Sequence, residues 1–211
     1  MALVKYNNRS LKNLTTVPAA VTGNSPGALV HIKTLTASSS ASLTFVHGSS
    51  DVVLDSTYPI YKFEFINCHP ATDDVTFQFQ TDTGTNTNYN QTVTSTYFNA
   101  SHYESGSATN LGYEASKDQA QGSSFITLAQ NIGNDNDQHM SGELTIYSPS
   151  SDTFVKHFTS RVVEHHRIDL IIDCFIAGYF NTQTPLTKFQ FKMSSGNIDA
   201  GKIKLYGIKD S

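Results

Sequence analysis

Apolar and polar residues alternate with a period of two along most of the chain. In Tyr61-Lys62-Phe63-Glu64-Phe65 the aromatics fall on one face and the charges on the other, and Val75-Thr76-Phe77-Gln78-Phe79 repeats the alternation. A period of two predicts β-strands that bury one face of an antiparallel sheet. The pattern returns in Leu43-Thr44-Phe45, Glu143-Leu144-Thr145-Ile146, Phe189-Gln190-Phe191-Lys192-Met193 and Lys202-Ile203-Lys204-Leu205. Further strands are predicted at about 29–35, 91–98, 124–131 and 154–165. The run from Ile168 to Tyr179 is apolar on both faces, which predicts a central strand. Alternation places Phe63, Phe65, Phe77, Phe79, Phe189, Phe191, Ile203 and Leu205 inside, and Lys62, Glu64, Gln78, Gln190 and Lys204 outside. No segment carries a capped period of 3.6.

Roughly eight to eleven strands without crossover helices predict an all-β fold. At this size the expected architecture is a two-sheet antiparallel β-sandwich, jelly-roll-like, over residues 29–211. Residues 1–28 differ, with Asn, Thr, Ser, Pro18 and Pro26 and little alternation. Such a segment buries too little apolar surface to order itself, so it is expected to be an extended N-terminal arm. Its apolar residues Leu3, Val4, Tyr6, Leu11 and Leu14 are the candidate docking contacts. Two long polar stretches, 81–90 and 99–121, are expected to be loops that carry recognition or partner contacts.

Charge narrows the classes of partner. Charged residues make up 15% of the 211, and the formal net charge is -4 with no basic block. Nothing there would neutralise a run of phosphates, so neither nucleic acid nor an anionic membrane is an expected partner. The first twenty residues lack an apolar signal region, and no stretch approaches the roughly 18 apolar residues of a membrane helix. Synthesis in the cytoplasm without a secretory signal is the expectation.

Cys68 and Cys174 have no Cys or His neighbour at zinc-ligand spacing and are expected to be buried free thiols. Gly196 to Lys202 has the Gly and Lys spacing of a phosphate-binding loop. Ile203, however, stands where Ser or Thr must hold magnesium, so a β-turn is expected. Asn134-Asp135-Asn136-Asp137-Gln138-His139 lacks the glycine and terminal Glu of a calcium loop and is expected to be a solvated turn. His165 and His166 point to opposite faces of a strand and cannot share one ion. No nucleophile elbow and no paired carboxylates stand out, so the expectation is a non-enzyme with no cofactor and no metal. Tyr97, Tyr103 and Tyr113, in or beside the second long stretch, are the candidate binding loop. The chain has no Trp, which favours oligomer contact over sugar stacking as their use.

Three segments carry a family resemblance. They are Met1-Ala2-Leu3-Val4-Lys5-Tyr6-Asn7-Asn8-Arg9-Ser10, then Phe63-Glu64-Phe65-Ile66-Asn67-Cys68-His69-Pro70-Ala71-Thr72-Asp73-Asp74, and the closing run from Phe191-Lys192-Met193-Ser194-Ser195-Gly196 through Leu205-Tyr206-Gly207. Across nearly its whole length the chain resembles small virion structural proteins, tail-fibre-like or capsid-decoration-like, of marine cyanophages and related tailed bacteriophages. The resemblance implies a virion location after synthesis in the host bacterial cytoplasm, with other virion proteins as partners and a homo-oligomer as the working state. It implies assembly on the particle exterior, as a head decoration or a tail appendage. The alternative is a tail-fibre module that binds a host-surface glycan or protein.

Overall fold

The computed structural model describes residues 28–210, in which there are 13 β-strands and no helix. In chain order they are β1 (Leu29–Thr36), β2 (Leu43–Val46), β3 (Ile60–Pro70), β4 (Val75–Thr83), β5 (Val93–Tyr103), β6 (Thr109–Tyr113), β7 (Gln119–Gly122), β8 (Ile126–Ile132), β9 (Met140–Tyr147), β10 (Lys156–His166), β11 (Leu170–Phe180), β12 (Leu186–Met193) and β13 (Ile198–Ile208). All pairings are antiparallel. The expected arm, with Leu3, Val4, Tyr6, Leu11 and Leu14, lies outside the described residues.

Eight strands pair in a nested order: β1 with β13, β2 with β12, β3 with β9, and β4 with β8. β13 also pairs with β3, and β12 with β4. The other five are additions. β5, β6 and β7 come between β4 and β8 in the chain, and β10 and β11 between β9 and β12. They continue the sheet past β9 in the order β10, β11, β5, with β6 and β7 along the far edge of β5. One bridge, His166 to Ile132, ties β10 to β8, so all 13 strands form one hydrogen-bonded sheet, curled until it is nearly closed.

Phenylalanines at alternate positions fill the interior. Phe191 of β12 lies with ring centroids 5.1 to 6.2 Å from Phe45, Phe63, Phe65, Phe77 and Phe79. β3 is not a neighbour of β12 in the sheet, so its rings reach Phe191 across the interior. Phe79 also meets Phe158 of β10 and Phe180 of β11, which joins the added strands to the same core. Such aromatic pairs contribute about 0.5–1.5 kcal/mol each beyond the area they bury. All eight residues predicted to face inward are buried, and the five predicted to face outward are partly exposed. Cys68 and Cys174 are buried free thiols.

Three expectations are corrected. Residues 81–83 belong to β4 and 99–103 to β5, while β6 and β7 occupy parts of the second stretch expected to be loop. Their polarity misleads because polar side chains here serve the backbone: buried Asp82 accepts from Thr83 N at 2.8 Å, Tyr89 N at 3.0 Å and Gln91 Nε2 at 3.1 Å. The count of 13 strands exceeds the expected range, partly because β6 and β7 are short and lack buried alternation. The run 168–179 does form an internal strand, yet only one face of β11 is covered.

The run from Gly196 to Lys202, expected to be a β-turn, enters β13 at Ile198, and its last glycine has a packing role. Gly201 has φ +117° at a bulge of β13, and a Cβ there would stand 2.6 Å from Asn67 O. Glycine is needed for the approach of β3.

Candidate functional site

The uncovered face of β11 belongs to a larger surface, the outer face of β9, β10, β11, β5 and β6. The register aligns its side chains in rows across the strands. One row is Glu143, Arg161, Phe175, Phe98 and Tyr113. On one side of it runs Ser141, Val163, Asp173, Ala100 and Leu111, followed by His165, Ile171, His102 and Thr109. On the other side lies a row of small residues, Thr145, Thr159, Ala177 and Thr96.

Large apolar side chains stand open here. Leu111 is 74% exposed, Ile171 51%, Phe98 41% and Val163 40%, on one continuous sheet face. Scattered exposed apolar residues are ordinary, but a contiguous apolar patch marks an interaction surface.

The charges on this face are already paired. Arg161 grips Asp173 with Nε at 3.0 Å and Nη2 at 2.7 Å, and its guanidinium lies 5.0 Å from the centroid of the Phe175 ring. Lys62 Nζ lies 2.6 Å from Glu143. A row of neutralised charge and stacked rings offers little to a charged ligand.

Hollows flank the aromatic row. One of about 310 Å³ is lined by Phe98, Arg161, Phe175, Thr159 and Ala177. Another, of about 410 Å³, is lined by His102, His139, His165, Glu104, Val163 and Ile171. There His165 Nε2 stands 3.4 Å from Glu104 Oε1. Among the described residues no group of three or more His, Cys, Asp or Glu is arranged to hold a metal ion.

Beneath this face lies a buried polar cluster. Tyr97 donates its hydroxyl to Cys174 Sγ at 2.9 Å, and Glu164 Oε2 accepts from Gln130 N at 2.6 Å. Glu164 Oε1 and Asn99 Nδ2 have no hydrogen-bond partner. Burial pushes the Glu164 carboxyl well above its ordinary range, and burial and the nearby Glu164 raise the Cys174 thiol.

The three candidate tyrosines separate. Tyr97 is fully buried, so it is withdrawn from any surface contact; it sits on the inward phase of β5. Tyr103 is half-buried at the end of β5, packs against the core and lines the histidine hollow. Tyr113 is exposed in the aromatic row and donates to Asp118. The sequence reading missed Phe175, Val163, Ile171 and Leu111. A signal for two of them was present: a strand apolar on both faces reads as covered on both, and Ile171 and Phe175 lie on the uncovered side.

Comparison with protein-family models, curated proteins and solved structures finds no match for this chain.

Proposed function

We propose that this chain is a structural protein of a bacteriophage virion that assembles on the particle exterior, as a head decoration or part of a tail appendage, without enzymatic activity. The observation that carries this reading is the open apolar sheet face with its charges already paired, a surface suited to being covered by protein. The nested strand order supports it further. Pairing first with last, second with next-to-last and so on inward is how eight strands roll into a jelly roll, an architecture used by viral capsid and lectin domains. Fold alone does not choose among those uses. The sequence resemblance to marine phage proteins favours the virion.

In this reading residues 1–28 dock the subunit to its neighbours in the particle. The test is mass spectrometry of purified particles together with complementation by a protein lacking residues 1–27. The full chain should be found at many copies per particle and the shortened one should fold but stay out. Absence of the full chain from purified particles would overturn the reading.

The alternative of a host-glycan module is less well supported. Sugars stack on free aromatic faces, whereas Phe98 and Phe175 cover each other and Tyr97 is buried.

A further inference from the structure

We infer that the outer face of β10, β11, β5 and β6, with the flank of β9, is the interface between two copies of this chain. The inference rests on the reading of the chain as an assembly subunit and names the surface through which it assembles. Three observations point to a second copy as the occupant.

The first is relief. Phe175 and Phe98 form a ridge, and the next row, Thr159, Ala177 and Thr96, is a trough of small side chains beside it. The hollow between them holds about 310 Å³. A surface with a ridge and an adjacent parallel trough is complementary to itself when turned by a two-fold axis, the arrangement of an isologous dimer. The ridge of each copy enters the trough of the other.

The second is charge. Arg161 is held by Asp173 and Glu143 by Lys62 within one chain, so the face does not ask for a basic or an acidic partner. Two copies meet there without opposing unpaired charges of one sign at its centre.

The third is area. The rows cover residues 159–165 of β10, 171–177 of β11 and 96–102 of β5, with the shorter stretches 141–145 of β9 and 109–113 of β6; at about 4.8 Å strand spacing and about 3.3 Å rise per residue this is a face of roughly 500 Å². Covered on both copies the face removes roughly 1,000 Å² in total, which reaches the lower bound of about 1,000 Å² for a specific interface between two proteins.

The experiment measures the mass of the purified full chain by light scattering, from about 1 to 100 μM, for the wild type and for Leu111→Glu, Ile171→Glu and Phe154→Glu. Phe154 is 71% exposed and lies outside the rows of this face, so it serves as the control. Melting curves establish that each variant is folded. The wild type and Phe154→Glu should be oligomeric, and Leu111→Glu and Ile171→Glu should dissociate with at least about a 30-fold weaker association, as expected when an apolar contact is replaced by an unpaired charge taken out of water. Because purified protein is used, this result is independent of whether the chain occurs in a particle.

A wild type that stays monomeric at 100 μM overturns the inference, as does an oligomer unaffected by both glutamates. If the full chain is monomeric and the protein lacking residues 1–27 is not, the occupant is the chain's own N-terminal segment and the inference is wrong.

Discussion

Phe98 of β5 and Phe175 of β11 stack on the outside of the sheet, their ring planes 3° apart and their centroids 5.0 Å apart. Directly opposed residues on neighbouring strands are the pairs that stabilise a sheet face. Here the stack also covers ring surface that would otherwise face water. A double-mutant cycle of Phe98→Ala and Phe175→Ala should give a coupling of about 0.5–1.5 kcal/mol in urea unfolding. A coupling near zero would mean that the rings do not stack in solution.

Phe191 contacts five other phenylalanines and is buried. Replacing it with alanine leaves a cavity that surrounding strands cannot close, so Phe191→Ala should cost about 3–5 kcal/mol. Glu64 is partly exposed and only 3.8 Å from Lys62 at its nearest, so Glu64→Ala should cost about half a kcal/mol or less. Denaturant midpoints of the two variants separate the faces of β3 and its partners. Equal losses would show that the assigned inner and outer faces are wrong.

These two faces were legible in the sequence because aromatic and charged residues alternate without exception from Tyr61 to Phe65. The outer face of the added strands was not. Ile171 and Phe175 are as apolar as their inward neighbours Ile172 and Ile176, and periodicity cannot tell a face covered by the same chain from one left for a partner. β6 and β7 escaped notice for the opposite reason. Their residues, such as Thr109, Asn110, Gln119 and Gln121, are polar, and only pairing to the edge of β5 makes them strands.

Glu164 is held almost entirely out of water, with one carboxylate oxygen unpartnered. Its folded pKa lies above the unfolded value of 4.5, so the folded state retains a proton that the unfolded state releases. The stability associated with the neutral carboxyl is therefore complete below pH 4.5 and is lost as pH rises through the folded value. Glu164→Gln removes this loss. At pH 8 the variant should be more stable than the wild type by about 1–3 kcal/mol, with the difference shrinking as pH falls toward 4.5. Urea titrations at pH 4.5, 6 and 8 check both the sign and the trend; a variant less stable at every pH would contradict the assignment.

Gly201 and Gly48 both have positive φ, at +117° and +75°, but differ in their surroundings. At Gly48 nothing lies within 4 Å of an added Cβ, whereas at Gly201 it would meet Asn67 O at 2.6 Å and Cys68 Cα at 2.7 Å. Gly48→Ala should lose about 1–2 kcal/mol from backbone strain alone. Gly201→Ala should lose more, by about a further 1–3 kcal/mol, because β3 and β13 must move apart. Thermal melts of the pair measure the difference. If Gly201→Ala were as mild as Gly48→Ala, the bulge would have to be looser than described.

The nested pairing has a consequence for biosynthesis. β1 is the first of the described strands to leave the ribosome, yet its hydrogen-bond partner β13 is the last. β2 waits in the same way for β12. Contacts so far apart in sequence place folding in the slow range, about milliseconds to seconds, after a large loop-closure entropy has been met. The amino-terminal strands thus leave the exit tunnel with their edges unsatisfied. Until synthesis has passed Ile208, a chaperone or the strands of another nascent chain can take the place that β13 will fill.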